Sequence, residues 1–202
     1  MKELLVATKN KGKVREIADL LAPFDIKVIS LLDLGPMPEI VEDGLTFRAN
    51  AAKKAVVIAQ HTGGVVMGED SGLEVDALGG RPGVFSARYA GEDADDLKNN
   101  AKLLRELDGV PQPKRTARYR SAIALADKDR LIDVVEGSCE GVIASGPRGD
   151  HGFGYDPLFI IPSEGKTFGE LPLSFKQTIS HRANALRQFL KLLERYLATK
   201  DC

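Results

Sequence analysis

The chain has 202 residues, 43% of them hydrophobic, which is enough to build a core. With 28 Lys and Arg against 29 Asp and Glu, its net charge is -1, so no global basic field favours nucleic acid or a membrane surface. Any anion site must be local, and no apolar run approaches the roughly 20 residues of a membrane span. Cys139 and Cys202 predict neither a disulfide framework nor a thiolate metal site. Because Met1 leads directly into a strand rather than a cleavable signal, we expect a cytoplasmic protein.

The first part of the chain alternates short apolar strands with segments of helical spacing. The predicted elements are a strand at 3–8, a helix at 13–24, a strand at 26–31, a helix at 45–64 and a strand at 65–69. The second helix is Ala-rich and ends in a glycine stop at Gly63. This order indicates an α/β fold.

The pattern changes in the second part of the chain. An amphipathic helix opened by acids is predicted over 93–107, as the helix dipole favours. Residues 115–143 predict two long strands around a turn at 127–129, an antiparallel hairpin. A last helix at 180–197 carries four leucines on one face, at 186, 190, 193 and 197. We predict a mixed α/β chain with two lobes and a cleft between them.

A lysine-rich loop, Thr8 to Lys13, follows the first strand and begins a helix. Helix amide groups, the Thr8 hydroxyl, the Asn10 amide and the lysine charges would make an anion cradle. A solvated turn with Asn10 as the helix cap explains the same residues. The loop is not a P-loop, because GxxxxGK[ST] is absent.

Two adjacent carboxylates, Glu69 and Asp70, precede Ser71 where the third strand is predicted to end. An ordinary capped turn would explain them. However, buried unpaired carboxylates cost several kcal/mol, and with Glu42 the chain offers three carboxylates, enough oxygen ligands for Mg²⁺.

The second helix carries polar groups behind the Glu42 loop. Thr46, Asn50 and Lys54 are spaced i, i+4, i+8, so they project from one helix face. Capping and a polar surface stripe would explain each of them singly.

The segment at 149–159, GDHGFGYDPLF, packs three glycines around Phe153 and Tyr155. It is either a tight connection with core aromatics or a place where a ring face stays open to stack on a base. Lys176 and the Ser180-His181-Arg182 run place cationic donors before and at the start of the last helix. By itself, His181 would be a capping or solvated residue.

Five ordered motifs, ATKNKGKVREI, EDGLTFRANAAKKA, EDSGLEVDALGGRPGVFSARYAG, GFGYDPLF and ISHRANAL, resemble the Ham1 or inosine triphosphatase family of non-canonical purine nucleoside triphosphate pyrophosphatases. The resemblance implies one domain over 1–202 with an elongated, two-lobed fold and a central active-site cleft. It also implies Mg²⁺-dependent hydrolysis of ITP, dITP and XTP to the monophosphate and pyrophosphate, by a homodimer that removes deaminated purines from the nucleotide pool. No nucleic-acid or membrane partner is expected.

The resemblance also implies roles for individual residues. Glu42 and Asp70 would bind the metal, and Asp70 would act as the catalytic base. The substrate-binding residues would be Thr8, Lys9, Asn10, Lys11, Gly12, Lys13, Ser71, Phe153, Gly154, Tyr155, Asp156, Lys176, His181 and Arg182. From its charge, we expect Lys54 to join them by stabilising the leaving pyrophosphate. The chain departs from the family pattern at Ala49, Glu69 and Gln177, and the first of these removes a carboxylate near the metal.

Base choice would follow from hydrogen bonding at C6. Hypoxanthine and xanthine carry a carbonyl there, so Lys176, His181 or Arg182 would donate to it and be left unpaired by adenine. Phe153 would stack on any purine.

Two other functions are compatible with parts of the pattern. A non-catalytic nucleotide or RNA-binding module would use the lysine loop and the aromatics, but gains nothing from carboxylates beside phosphate. Modified pyrimidine nucleotides are an alternative substrate.

Overall fold

The computed structural model describes residues 2–92 and 95–200, and in these residues the protein forms a mixed α/β fold with a seven-stranded sheet. The strands are β1 (Lys2–Val6), β2 (Ile26–Ser30), β3 (Val66–Val75), β4 (Thr116–Ala126), β5 (Leu131–Ile143), β6 (Phe159–Ile161) and β7 (Lys166–Thr167). The α-helices are α1 (Lys11–Leu21), α2 (Phe47–Thr62), α3 (Asp96–Glu106), α4 (Leu173–Ile179) and α5 (His181–Ala198). The predicted mixed α/β class is confirmed.

The strand order in the sheet is β2-β1-β3-β4-β5-β6-β7. β1 pairs in parallel with both β2 and β3, whereas β6 pairs antiparallel with β5 and β7. β4 and β5 are neighbours joined by only four residues, 127–130. So short a connection permits only an antiparallel hairpin, as the sequence predicts.

The chain folds into two compact units, each assembled from separate stretches of sequence. The first unit contains residues up to Asp70, residues 121–137 and the chain from Arg182 onward. The second unit contains Ser71–Arg120 and Ser138–His181. Each unit has its own hydrophobic core.

The core of the first unit joins β1, α1, β3, β4 and α5. Three leucines of the predicted apolar face of α5 are buried in this core, and the fourth packs against it: Leu186, Leu190, Leu193 and Leu197. Because they recur at helical spacing, one side of α5 stays apolar along its whole length.

Helix α2 begins and ends where its sequence dictates. The Thr46 side chain caps it by accepting from the Ala49 amide at 3.1 Å, and Gly63 ends it in the left-handed conformation (φ 72°). Gly68 of β3 lies so close to α2 that a Cβ there would collide with the Ala51 carbonyl and the Ala55 amide. The small residues of α2 therefore let the helix backbone approach β3.

The core of the second unit is built by β3, α3, β4, β5 and β6 around Tyr119, Phe159 and Phe168. Helix α3 is capped by the Asp95 side chain, which accepts from the Lys98 amide at 3.0 Å. The helix was predicted over 93–107. The acids opening it are Asp95 and Asp96, and residues 93 and 94 lie outside the described residues.

Two boundary predictions were wrong. The first helix was predicted over 13–24, but α1 runs from Lys11 to Leu21. The third strand was predicted to end at Glu69, but β3 continues to Val75, so Asp70 and Ser71 lie within it. The strand continues because Leu73 and Val75 are fully buried in the second core. Glycines at 68 and 72 give this part of the sequence the composition of a turn.

No helix in the described part of the chain combines the length and the apolar character needed to cross a bilayer. Cys139 is buried as a free thiol, with burial raising its pKa to about 11, so it is protonated at neutral pH. Cys202, the other cysteine, lies outside the described residues.

Candidate active site

Two carboxylates of the first unit meet at one ammonium group. Lys54 Nζ lies 2.8 Å from Glu42 Oε2 and 2.9 Å from Asp70 Oδ1. The same nitrogen donates to the Glu69 carbonyl at 3.3 Å. Residues separated by up to 28 positions in the chain thus share one positive charge.

The spacing along α2 places its polar groups on Asp70. Asn50 Nδ2 donates to Asp70 Oδ2 at 3.1 Å, so the two oxygens of Asp70 bind to residues one helical turn apart. Asn50 Oδ1 accepts from the Gly44 amide at 2.8 Å, which ties down the loop after Glu42. The predicted face of Thr46, Asn50 and Lys54 is confirmed, with Thr46 as the helix cap.

Glu69 forms a second charge cluster beside the first. Its Oε2 lies 2.8 Å from Lys13 Nζ, and its Oε1 accepts from Arg182 at 3.2 Å and from Ser121 at 3.1 Å. Arg182 also pairs with Glu16 of α1. Because Glu69 is fully buried and Arg182 is 1% exposed, this carboxylate is positioned by fixed donors rather than by water.

Burial and charge act against each other in the first cluster. Burial raises the pKa of Asp70, and the ammonium groups of Lys54 and Lys13 offset this only in part. Burial opposes the charged form of Lys54, but the Asp70 and Glu42 carboxylates outweigh it and raise the pKa of Lys54. Likewise, burial disfavours the charge on Arg182, yet Glu69 and Glu16 raise its pKa. The cations therefore stay charged inside the unit.

The loop Thr8 to Lys13 caps its own helix. Asn10 Oδ1 accepts from the Lys13 amide at 3.0 Å, and Thr8 Oγ1 accepts from the Asn10 amide at 3.2 Å. The side chains of Lys9 and Lys11 are exposed, whereas Lys13 turns inward to Glu69. The capped turn is confirmed, and the anion cradle remains a prediction.

In the second unit, Asp156 organises the aromatic loop, residues 153–155. Its Oδ2 accepts from Lys176 Nζ at 2.5 Å and from the Phe153 amide at 2.9 Å. Its Oδ1 accepts from the Tyr119 hydroxyl at 3.3 Å. A Cβ at Gly152 would collide with the Asp156 carboxylate, so only glycine lets the loop wrap around it.

Aromatic rings surround the Lys176 ammonium. Its nitrogen lies 5.0 Å from the centroid of Phe153 and 5.4 Å from that of Phe168. His181, at the start of α5, is buried and stacks on Tyr119 with centroids 4.6 Å apart. The interpretation of His181 as a solvated residue was therefore wrong, because the ring of Tyr119 covers it.

The predicted site residues are divided between the two units. The first unit holds Thr8 to Lys13, Glu42, Lys54, Asp70 and Arg182, and the second holds Phe153 to Asp156, Lys176 and His181. Ser71 directly follows Asp70 in β3 and is half-buried. The Arg182 guanidinium forms ion pairs with Glu16 and Glu69.

Sequence reasoning missed several members of both groups. Glu16 and Ser121 hold Arg182 and Glu69 in place, and Tyr119 supports both Asp156 and His181. Glu16 and Arg182 are 166 positions apart, so no local spacing connects them. Among the described residues, no group of three or more His, Cys, Asp or Glu is arranged to hold a metal by protein ligands alone.

Taken together, the fold and the two residue groups define a class of mixed α/β proteins with a lysine–carboxylate cluster and an aromatic loop. A model of the Ham1 family matches residues 4–192, and the chain belongs to this family. It is 52% identical over 193 residues to a dITP/XTP pyrophosphatase of Desulforamulus reducens, covering 96% of both chains. It is 56% identical to a dITP/XTP pyrophosphatase of Geobacillus kaustophilus over 92% of this chain and 91% of the relative.

Solved structures agree with this assignment. The Staphylococcus aureus Ham1 protein is 38% identical, with a TM-score of 0.85, over 96% of this chain and 100% of the other. A HAM1 protein from Coxiella burnetii also has a TM-score of 0.85, at 39% identity over 96% of this chain and 100% of the other.

Proposed function

We propose that this protein is a nucleoside triphosphate pyrophosphatase that hydrolyses ITP, dITP and XTP to the monophosphate and pyrophosphate. Its relatives in Desulforamulus and Geobacillus carry the name dITP/XTP pyrophosphatase. The observation that carries the proposal is the convergence of Glu42 and Asp70 on Lys54, beside Lys13 of the first loop. A polyanionic substrate needs such cations, and its hydrolysis needs a carboxylate beside them.

The residues present fit a magnesium ion that shares its ligands with substrate. Mg²⁺ is usually bound by one or two carboxylates and completes its shell with water and substrate phosphates. Glu42 and Asp70 both pair with the Lys54 ammonium, and this proximity supports the proposal that the two carboxylates could also share a divalent ion. When bound, the ion would neutralise phosphate charge and polarise the α-phosphorus.

The chain's own residues would perform the remaining steps. Asp70 would accept the proton of the attacking water, because Asn50 and Lys54 hold its two oxygens in fixed directions. Lys13, Lys54 and the amides at the start of α1 would stabilise the charge of the departing pyrophosphate.

The base would be bound by the second unit. Phe153, which is half-buried, would stack on the purine ring. Lys176 would donate to the C6 carbonyl while keeping its bond to Asp156, since an ammonium group has three protons. His181, held by Tyr119, is the second proposed C6 donor. Adenine would leave these donors unpaired, which disfavours ATP.

Arg182 is given a different role from the one that the family resemblance implies. Its guanidinium lies between Glu16 and Glu69 and is 1% exposed. We therefore assign it to holding Glu69 beside Lys13 instead of contacting the base.

The enzyme would clear deaminated purines from the cytoplasmic nucleotide pool as a homodimer.

A panel of nucleoside triphosphates tests the proposal. Pyrophosphate and inorganic phosphate are measured separately for ITP, dITP, XTP, ATP, GTP and the pyrimidine nucleotides, with and without Mg²⁺. The expected result is magnesium-dependent pyrophosphate release from the first three. Binding without hydrolysis would favour a nucleotide-binding module, and faster release from a pyrimidine would overturn the assigned substrate class.

A further inference from the structure

The backbone of Gly154, between the two aromatics of the loop, is held on both sides by helix α3. The Gly154 amide donates to Asp96 Oδ2 at 2.7 Å, and its carbonyl accepts from Asn100 Nδ2 at 3.0 Å. Asp96 and Asn100 are four residues apart, so they lie on the same face of the helix. One helix turn therefore binds both polar groups of a single peptide residue.

The held residue is one whose conformation needs support. Gly154 has φ +64°, and a Cβ there would meet nothing within 4 Å. Glycine is therefore favoured at this position by the positive φ angle, and not by lack of space for a side chain. Phe153 precedes it and is tied to Asp156 through its amide. Tyr155 follows it and donates its hydroxyl to the Ser86 carbonyl at 2.8 Å. Movement at Gly154 would rotate the Phe153 ring.

Within residues 2–92 and 95–200, the bond to the Gly154 carbonyl is the one hydrogen bond of the Asn100 side chain. Asn100 is 8% exposed, and its Oδ1 has no hydrogen-bond partner among the described residues. A buried amide with an unpaired oxygen is costly, so in packing terms alone a leucine would suit the position as well. Its donor to Gly154 is the polar contact that distinguishes asparagine there.

We propose that Asp96 and Asn100 are positioning residues that hold the aromatic loop in its base-binding conformation. The inference rests on the proposed function, in which Phe153 stacks on the purine. A loop fixed before binding loses less conformational entropy when the base arrives, and this gain appears as affinity. Both residues and the aromatic loop lie in the second unit, so we expect their effect to be on binding of the base.

The test compares two ligands by calorimetry, deoxyinosine monophosphate and inorganic tripolyphosphate. In Asn100→Leu the dissociation constant of the monophosphate should rise about tenfold, with that of tripolyphosphate unchanged. Asp96→Ala, at an exposed position, should act in the same direction. Asp96→Asn retains an acceptor for the Gly154 amide and should restore wild-type binding.

A matched control and the wild type separate the possible failures. Leu97→Ala changes an 81% exposed residue of the same helix turn and should leave both ligands unaffected. If the substitutions instead destabilised the whole unit, the melting temperature would fall and Asp96→Asn would not restore binding. If the wild type releases pyrophosphate from dITP but both Asn100→Leu and Asp96→Ala bind the monophosphate normally, the positioning role is refuted and the function stands. If the wild type neither hydrolyses dITP nor binds the monophosphate, both proposals are refuted.

Discussion

The two residue groups of this protein are built from different interactions. In the first unit, Glu42, Lys54, Asp70, Glu69 and Arg182 are all ionisable, and ion pairs between 2.8 and 3.2 Å hold them in position. In the second unit, the aromatic loop is held mainly by hydrogen bonds between its backbone and side chains of helix α3 and of Asp156.

Under the proposed function, this difference matches the chemistry of a nucleotide. A triphosphate tail is recognised by charge, and charges inside a protein must be paired. A purine is recognised by ring contact and a few directed donors, which demands a loop held in one conformation. We therefore expect substitutions in the first group to damage turnover or folding, and substitutions in the second to change binding.

The largest expected effect is on turnover. Asp70→Asn removes the proposed proton acceptor but keeps an oxygen and a similar shape, so kcat should fall by about 10³-fold while nucleotide binding is largely retained. Steady-state kinetics with dITP and calorimetry of the monophosphate measure the two quantities. The matched control is Asp43→Asn, an exposed aspartate paired with Lys53, which should be neutral. Near-normal turnover of Asp70→Asn would remove it as the base.

The next effect is on folding. Arg182→Met would leave Glu16 and Glu69 buried without their shared cation, which should lower the free energy of unfolding by about 3–5 kcal/mol. Urea denaturation measures this, with Arg195→Met, at an exposed position of the same helix, as the control. A fall of less than about 1 kcal/mol in the free energy of unfolding would contradict the assignment. So would a variant that folds normally but loses affinity for inosine nucleotides more than for other purine nucleotides.

Truncation of the Phe153 side chain should affect nucleotide binding alone. Phe153→Ala should weaken every purine monophosphate by about 1–3 kcal/mol, because stacking does not depend on the exocyclic groups. Phe85→Ala changes an exposed phenylalanine of the same unit and serves as the control. A loss confined to one base would show that Phe153 is not a neutral stacking surface.

The smallest expected effect is on stability and concerns Asp127, a carboxylate that belongs to neither residue group. Asp127 accepts from the amides of Asp129 and Arg130 and from the Tyr196 hydroxyl. Burial opposes its charge, but these hydrogen bonds and Lys200 outweigh burial and hold the pKa of Asp127 below 3.8. Folding is therefore stabilised by the charged form above pH 3.8, and this contribution is lost as the pH falls through the lower folded-state pKa.

Asp127→Asn should accordingly cost about 1 kcal/mol at neutral pH. The difference from wild type should shrink below pH 3.8 as the wild-type carboxylate is protonated. Thermal unfolding at pH 7, 5 and 3 measures it. A pH-independent difference would assign the effect to packing instead of charge.

Features that depend on neighbouring residues were predicted better than features that depend on contacts between distant parts of the chain. The caps at Asn10, Thr46 and Gly63 follow from residue type and are present in the structure. The polar face of α2 followed from helical spacing alone. The end of the third strand was placed too early, because the sequence around Ser71 has turn composition whereas Leu73 and Val75 extend the strand into a second core.

The sequence by itself determined the fold class, the helix caps at Asn10, Thr46 and Gly63 and the family, because these depend on residue types at short spacings and on motifs in order. Only the tertiary structure decided which charges share a partner. Arg182 stands beside His181 in the chain, yet its guanidinium lies on Glu16 and Glu69 of the first unit, whereas His181 stacks on Tyr119 of the second. The physical reason is that burial of a charge requires a counter-charge, and the chain supplies it from segments more than a hundred positions away.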